Sequence, residues 1–333
     1  MKLFRLRTDL QRASLGGFAF ALGLVPRDLP RPVEGYVLDY VTAEEDEPDT
    51  YHFHVTASHE RIAPLLEDLF GLLGGEVHPI LEIGSRDAYR AVDVWMSQEP
   101  VTRTAFLRTW AAYAPFLLED GSVSAGANTE EPAVEVFLDH WKGISVHVPL
   151  MLRERVEMIL DRHGLDELAE PWLDDPEEHE TGMDTRSVLD LSEPDLPDVE
   201  DLLLELRDHW RLELNVDPEA NVDDAGRELG TTLWYAMVLV ESTTDRDEGA
   251  YGTIWLTAAS LAEAESLVID AVEEHPEWRF DRLYSLDRVA FDERPDELAE
   301  LPPRPTSTEV LHVSFEPWSG GEAGRHEEAG HGG

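Results

Sequence analysis

Tyr51-His52-Phe53-His54-Val55 alternates apolar and polar residues with a period of two, the spacing of a strand buried on one side. Ser58 follows at the place of a helix N-cap, and Ile62, Leu65, Leu66, Leu69 and Leu72 recur at steps of three and four up to Gly74-Gly75. A strand therefore passes into an amphipathic helix with a glycine stop. Residues 77–83 and 89–96 read as two further strands around the turn Gly84-Ser85-Arg86-Asp87. A second helix opens after Pro100 and carries Phe106, Trp110, Tyr113, Phe116 and Leu117 on one side, and residues 122–127 supply a fourth strand. The order β-α-β-β-α-β predicts an α+β fold with a ferredoxin-like split βαβ domain, two helices lying on one face of an antiparallel sheet.

Outward from this block, residues 133–138 and 143–148 predict a hairpin and 150–163 a third helix, which extends the domain over 33–164. Residues 165–200 contain 14 acidic residues, one Arg and four prolines, a composition that buries little and predicts an extended linker. Beyond it, 201–317 predicts a second α+β domain. Its clearest signal is Ser260-x-x-Glu263, a capping box whose two side chains satisfy orphan backbone N–H groups at a helix start. The strands expected around that helix are 210–216, 232–241, 251–258 and 278–291, with an edge strand at 308–315. Residues 318–333 are Gly-rich and expected to be disordered.

The 333 residues include no Cys, which excludes disulfides, thiolate metal sites and a cysteine nucleophile. Lys and Arg number 26 against 71 Asp and Glu, a formal net charge of −45. The part before residue 165 has 15 basic and 26 acidic residues, net −11; the rest has 11 and 45, net −34. Only Lys2 and Lys142 are lysines, as expected either of a GC-rich genome or of adaptation to high salt, and in a salt-rich cytosol screening relieves carboxylate repulsion. Residues 1–32 invert the sign with six basic side chains against two acidic ones. Their apolar run, 15–25, loosely imitates a secretory signal, but Arg12 stands late and Gly16-Gly17 interrupts the run, so a cytoplasmic protein is expected. No apolar stretch reaches the length of a membrane span, and the charge disfavours nucleic acid.

The chain lacks a phosphate-loop motif, a dinucleotide G-x-G-x-x-G, an H-E-x-x-H and a G-x-S-x-G, which removes the usual markers of nucleotide, hydride-transfer, zinc-protease and serine-hydrolase chemistry. Lys142, between Trp141 and Gly143 in a hairpin turn, is expected to be a solvated surface residue. The nearest approach to a metal motif is His52-Phe53-His54, two imidazoles on one strand face about 7 Å apart. His59, His140, His147, Glu135 and Asp139 are its candidate companions, although a half-exposed polar strand face accounts for the pair without a metal. His326 and His331 lie in the tail and lack a rigid frame. The nine tryptophans are expected to pack in cores.

These features predict a non-catalytic interaction module that binds a basic protein, as an inhibitor or immunity protein does, with no cofactor required, or a salt-adapted protein of other role. Opposite charge steers such encounters toward about 10⁸–10⁹ M⁻¹s⁻¹. The acidic loops of the second half nominate Asp223, Asp224, Asp245 and Asp247 as partner contacts. The alternative is a divalent-metal protein or metal-dependent enzyme centred on His52 and His54.

Overall fold

The computed structural model describes residues 4–42, 49–172, 182–193, 196–245, 248–300, 302 and 306–319. It is a mixed α+β chain of antiparallel sheets. Contacts divide it into two units, residues 1–84 with 92–215, and residues 85–91 with 216–333.

The first unit begins with the short strands β1 (Ser14–Leu15), β2 (Phe18–Ala19) and β3 (Leu24–Pro26). Then come β4 (Gly35–Val41), β5 (Thr50–Thr56), α1 (His59–Phe70), β6 (Glu76–Gly84), β7 (Val92–Ser97), β8 (Val101–Thr102) and α2 (Arg103–Leu117). They are followed by β9 (Val123–Thr129), β10 (Val134–Leu138), β11 (Ile144–Pro149), α3 (Arg153–Arg162), β12 (Met183–Thr185), α4 (Val199–Trp210) and β13 (Leu212–Leu214). The main sheet runs in the order β13-β7-β6-β9-β10-β11-β5-β4, with β8 paired to β6 off that path. Alternate residues such as Phe53, Val55, Leu81, Ala125, Val136 and Val146 point to one face and form a single core with Leu65, Leu69, Phe106, Phe116, Leu160 and Trp210 of the four helices. Burying a large aliphatic or aromatic side chain contributes about 1.5–3 kcal/mol, so this face holds the unit together.

The expected elements are present, but their pairing is not ferredoxin-like. That arrangement sets the first strand of the motif between the third and the fourth; here β6, the second, lies between β7 and β9, while β5 pairs with β11 and β4. β5 and β6 are still parallel strands joined by a helix, yet β9, β10 and β11 stand between them. β9, β10 and β11 follow one another through short turns and pair as a meander that lies between β6 and β5.

Within 165–200, the described residues 182–193 pack against the first unit where a linker is expected. Val188 and Leu189 are buried, β12 pairs with β3, and Leu6 bridges Leu189. Arg5 pairs with Glu193 at 2.6 Å, Arg27 with Asp184, and Arg186 donates to the carbonyls of Leu22 (2.7 Å) and Gln11 (2.5 Å). Residues 183–193 and the N-terminal segment thus lie against each other, complementary in charge and separated in sequence. α4 and β13, expected in the second domain, also belong to the first unit: Leu206 and Trp210 enter its core and β13 pairs with β7. Asp198 and Asp201 form a capping box that starts α4.

The second unit comprises β14 (Thr232–Ser242), β15 (Glu248–Ala258), α5 (Leu261–Glu273), β16 (Trp278–Val289) and β17 (Glu309–Ser319), with strand order β16-β14-β15-β17. α5 packs Ala264, Val268, Ala271 and Val272 on Trp234, Ala236, Val238, Ile254 and Leu256. Ser260 Oγ accepts from Glu263 N at 3.2 Å as the capping pattern requires, and Glu263 reaches back to Ala259 N at 2.7 Å. Residues 85–91 join this unit through a buried ion pair: Arg288 Nε donates to Asp87 Oδ2 at 2.7 Å, and Arg288 Nη1 donates to Asn221 Oδ1 (2.9 Å) and Val222 O (2.7 Å). Assigned by unit, the charges are 16 basic and 43 acidic residues in the first and 10 and 28 in the second, so acidity is spread over both.

Candidate functional site

In the first unit the residues between the core-facing ones lie on the opposite side of the sheet, which the core does not use. Register sets them in rows. Asp39 of β4 opposes His52 of β5, His52 opposes His147 of β11, His147 opposes Glu135 of β10, Glu135 opposes Asn128 of β9, and Asn128 opposes His78 of β6. Six strands therefore place five carboxylate or imidazole groups and one amide side chain in line. His54 stands two residues from His52 on the same face, as the strand period demands.

The rings of His52 and His147 stack at 3.7 Å between centroids, 8° from parallel. Thr50 Oγ1 lies 3.2 Å from His52 Nε2, Asp39 Oδ2 lies 3.5 Å from His54 Nε2, and Glu135 Oε1 lies 3.6 Å from His147 Nδ1. Burial, reinforced by the neighbouring His52 and His54, pushes His147 down to about 4, and burial followed by His54 lowers His52. Burial raises Glu135, and burial with the charges of Glu135 and Asp139 raises Glu82 on β6. Neutral imidazoles and reluctant carboxylates share this surface at neutral pH. Among the described residues, no three His, Asp or Glu side chains are gathered as a metal site would have them. His59 and His140 are elsewhere: His59 Nε2 lies 3.1 Å from Glu119 Oε1, and His140 packs beside Trp141.

Lys142 corrects the reading of a solvated turn. It is 3% exposed, adopts a left-handed φ of 67°, and its Nζ donates to Val123 O at 2.6 Å. The neighbouring Asp139 accepts from Gly143 N at 2.9 Å, and a Cβ at Gly143 would lie 2.7 Å from Asp139 Oδ2, so a side chain there would push the carboxylate aside. Burial lowers Lys142 to about 8, against the pull of Asp139, Asp120 and Glu119, and burial raises Asp139. Beside it, Glu119 accepts from Arg12 at 2.5 and 2.9 Å and from Leu22 N at 2.7 Å. Burial opposes its ionisation, yet the hydrogen bonds from His59, Arg12 and Leu22 bring it down to about 2. This cluster fastens the N-terminal segment to the sheet.

The nominated aspartates of the second unit have local duties. Asp223 pairs with Arg227 at 2.6 Å and accepts from Ala225 N and Arg227 N, and Asp224 Oδ2 accepts from Ala91 N at 2.8 Å. Asp245 sits in a turn whose backbone N donates to Ser242 Oγ at 3.2 Å, and Asp247 lies outside the described residues, as do His326 and His331. The conspicuous surface of this unit is instead the face of its sheet away from α5. Tyr235 and Trp255 meet there at 4.9 Å between centroids, and Tyr251 and Trp318 at 4.7 Å. Met237 and Leu239 lie between them in register, and Glu309 and Glu316 alternate along β17 on the same side. Tyr251 is 48% exposed and Trp318 38%. Trp110, Trp210 and Trp234 are core residues as expected, whereas Trp255 and Trp318 belong to this uncovered face. In sequence, its only sign was alternation on strands whose buried phase is equally apolar. Among the described residues no helix is long and apolar enough to cross a membrane. Comparison with protein-family models, with curated proteins and with solved structures finds no match for this chain.

Proposed function

We propose that this chain is a non-catalytic binding protein for a basic protein segment, with the uncovered sheet face of the second unit as its contact surface. The observation that carries the reading is the pair of cross-strand aromatic contacts on this face, half-buried Tyr235–Trp255 and exposed Tyr251–Trp318, in a unit of net charge −18. Aromatic faces attract guanidinium and ammonium groups, by about 0.5–1 kcal/mol where exposed and about 2 or more where desolvated. Arg279 on this face is already paired with Glu241, so it does not oppose an incoming cation. Glu309 and Glu316 extend the attraction along the edge strand. The general acidity brings a basic segment near, and the aromatic face retains it.

An arginine-rich peptide titrated into the full chain at low salt tests this, with tryptophan fluorescence as the signal because Trp255 and Trp318 line the surface. Saturable quenching, weakened by added salt and lost in the Tyr251→Ser, Trp318→Ser variant, is the expected result. Equal affinity in that variant would remove the face from consideration.

A further inference from the structure

In the first unit, α3 buries Val156 and Leu160 and turns its other side to solvent, where the residues are sorted by charge. Exposed there are Met151, in the turn before the helix, and Glu154, Arg155, Met158, Asp161 and Arg162. Met151 is 83% exposed and Met158 61%, the two highest values for large apolar side chains among the described residues. They stand one heptad apart, so they follow one line along the helix. At about 100° per residue, Arg155 and Arg162 fall on one side of Met158, at about 60° and 40°, and Glu154 and Asp161 on the other, at about 40° and 60°. A methionine stripe therefore runs between a basic flank and an acidic flank. We propose that this face binds a second copy of the chain, the two α3 helices lying parallel about a two-fold axis that runs along them. That axis sets the basic flank of each helix against the acidic flank of the other, with Met158 against Met158 between them. An antiparallel pair would set like flank against like.

Charge selects the occupant. The chain as a whole carries −45, which repels a copy of itself wherever acidic surfaces meet. α3 is the exception, with three arginines balancing three carboxylates over ten residues. A basic partner would meet Arg155 and Arg162, and an acidic one Glu154 and Asp161; a face whose two flanks complement each other fits itself. Arg153 and Glu157 are already paired at 2.7 Å and stand apart from the flanks. Within the chain the basic flank is held only at its edge: Arg162 Nη2 lies 3.7 Å from Asp68 Oδ2 with its side chain 63% exposed, and Arg155 Nη2 donates to Gly71 O at 3.3 Å. At physiological ionic strength the Debye length is about 8 Å, so remote carboxylates of the two copies are screened from one another while flanks in contact are not. A helix of ten residues is about 15 Å long, a smaller contact than the about 800 Å² per partner of a standard stable interface, so the dimer is weak, in the micromolar range.

Sedimentation equilibrium of the full chain at about 0.15 M salt, from micromolar to near-millimolar protein, reads the association. The parent chain should pass from monomer to dimer. Arg155→Glu with Arg162→Glu makes both flanks acidic, and Glu154→Arg with Asp161→Arg makes both basic. Each variant alone, checked for folding by circular dichroism, should dimerise at least about tenfold more weakly than the parent, because like charges then meet across the seam. Mixed in equal amounts the two should form a heterodimer, acidic flanks against basic ones. Both variants stay strongly negative overall, so recovery on mixing comes from this face and not from net charge. Met158→Ser should weaken the parent dimer at least about tenfold through lost apolar contact. A parent chain that stays monomeric at the highest concentration would overturn the proposal, as would folded flank variants that dimerise as strongly as the parent or a mixture that stays monomeric. Should a flank variant misfold, Met158→Ser decides, and a dimer of undiminished strength in it would overturn the proposal. The arginine-rich peptide concerns residues of the other unit, so its result is read separately.

Discussion

Both units are antiparallel sheets covered by helices on one face, and their covered faces are nearly interchangeable in character: Val, Leu, Ile, Ala and aromatic residues at every second position. Their uncovered faces are opposites. The first sets Asp39, His52, His147 and Glu135 in one row; the second sets Tyr235, Trp255, Tyr251 and Trp318 in adjoining pairs. The alternation that builds a core is thus generic, and the residues between its beats carry the individuality of each unit. Both units also hold a segment distant in sequence with an arginine–carboxylate clasp, half-buried Arg12–Glu119 in the first and buried Arg288–Asp87 in the second.

The clasps give the largest expected effects. Asp87→Ala leaves the Arg288 guanidinium buried without its carboxylate, and removal of one partner of such a pair costs about 3–5 kcal/mol. Urea unfolding followed by fluorescence should show that loss; an unchanged midpoint would mean that Asp87 does not hold Arg288 as described. In the first unit the expected signature is acid lability. Glu119 has its folded pKa depressed to about 2 from the ordinary 4.5, so its stabilisation is complete above pH 4.5 and disappears as pH falls toward 2. The integrated effect is on the order of 3 kcal/mol. Thermal melts across that range should show it, and Glu119→Gln should be less stable at neutral pH with a flatter acid limb. An unchanged limb would mean that Arg12 and His59 do not hold the carboxylate as described.

On the uncovered faces, function should respond more than stability. Tyr251→Ser with Trp318→Ser should destabilise by no more than about 1 kcal/mol, the scale of a cross-strand pair, while abolishing the peptide-induced fluorescence change. A large loss of stability would instead make the aromatic pairs structural and bring the two faces closer in kind. The smallest effect is expected at Asp223. Arg227 already neutralises its carboxylate, so Asp223→Asn should leave peptide association rate and affinity unchanged and shift the melting temperature little. A marked fall in association rate would return the acidic loop to the contact surface.

How far the sequence alone reaches can be seen at particular residues. The period of two in Tyr51–Val55, the apolar steps of α1 and the Ser260-x-x-Glu263 start of α5 are local patterns governed by backbone geometry a few residues long. They were legible before any tertiary information. That His52 and His54 share a face follows from the same period. That His147, Glu135 and Asp39 join them does not, because alternation within a strand is the same whichever strand it pairs with; β11, β10 and β4 come to β5 through a register set by the whole sheet. Pairing also decided that β9, β10 and β11 enter between β5 and β6, and that residues 183–193 fold onto the basic N-terminal segment. Lys142 is the sharpest instance. Its hairpin turn was readable, but its burial depends on Val123 and on acidic side chains brought in from Glu119 and Asp120, over twenty residues away in sequence. Local periodicity specifies which residues form an element and which face they share, whereas the neighbours that set a side chain's charge, burial and partners are supplied by contacts the chain makes only once it has folded.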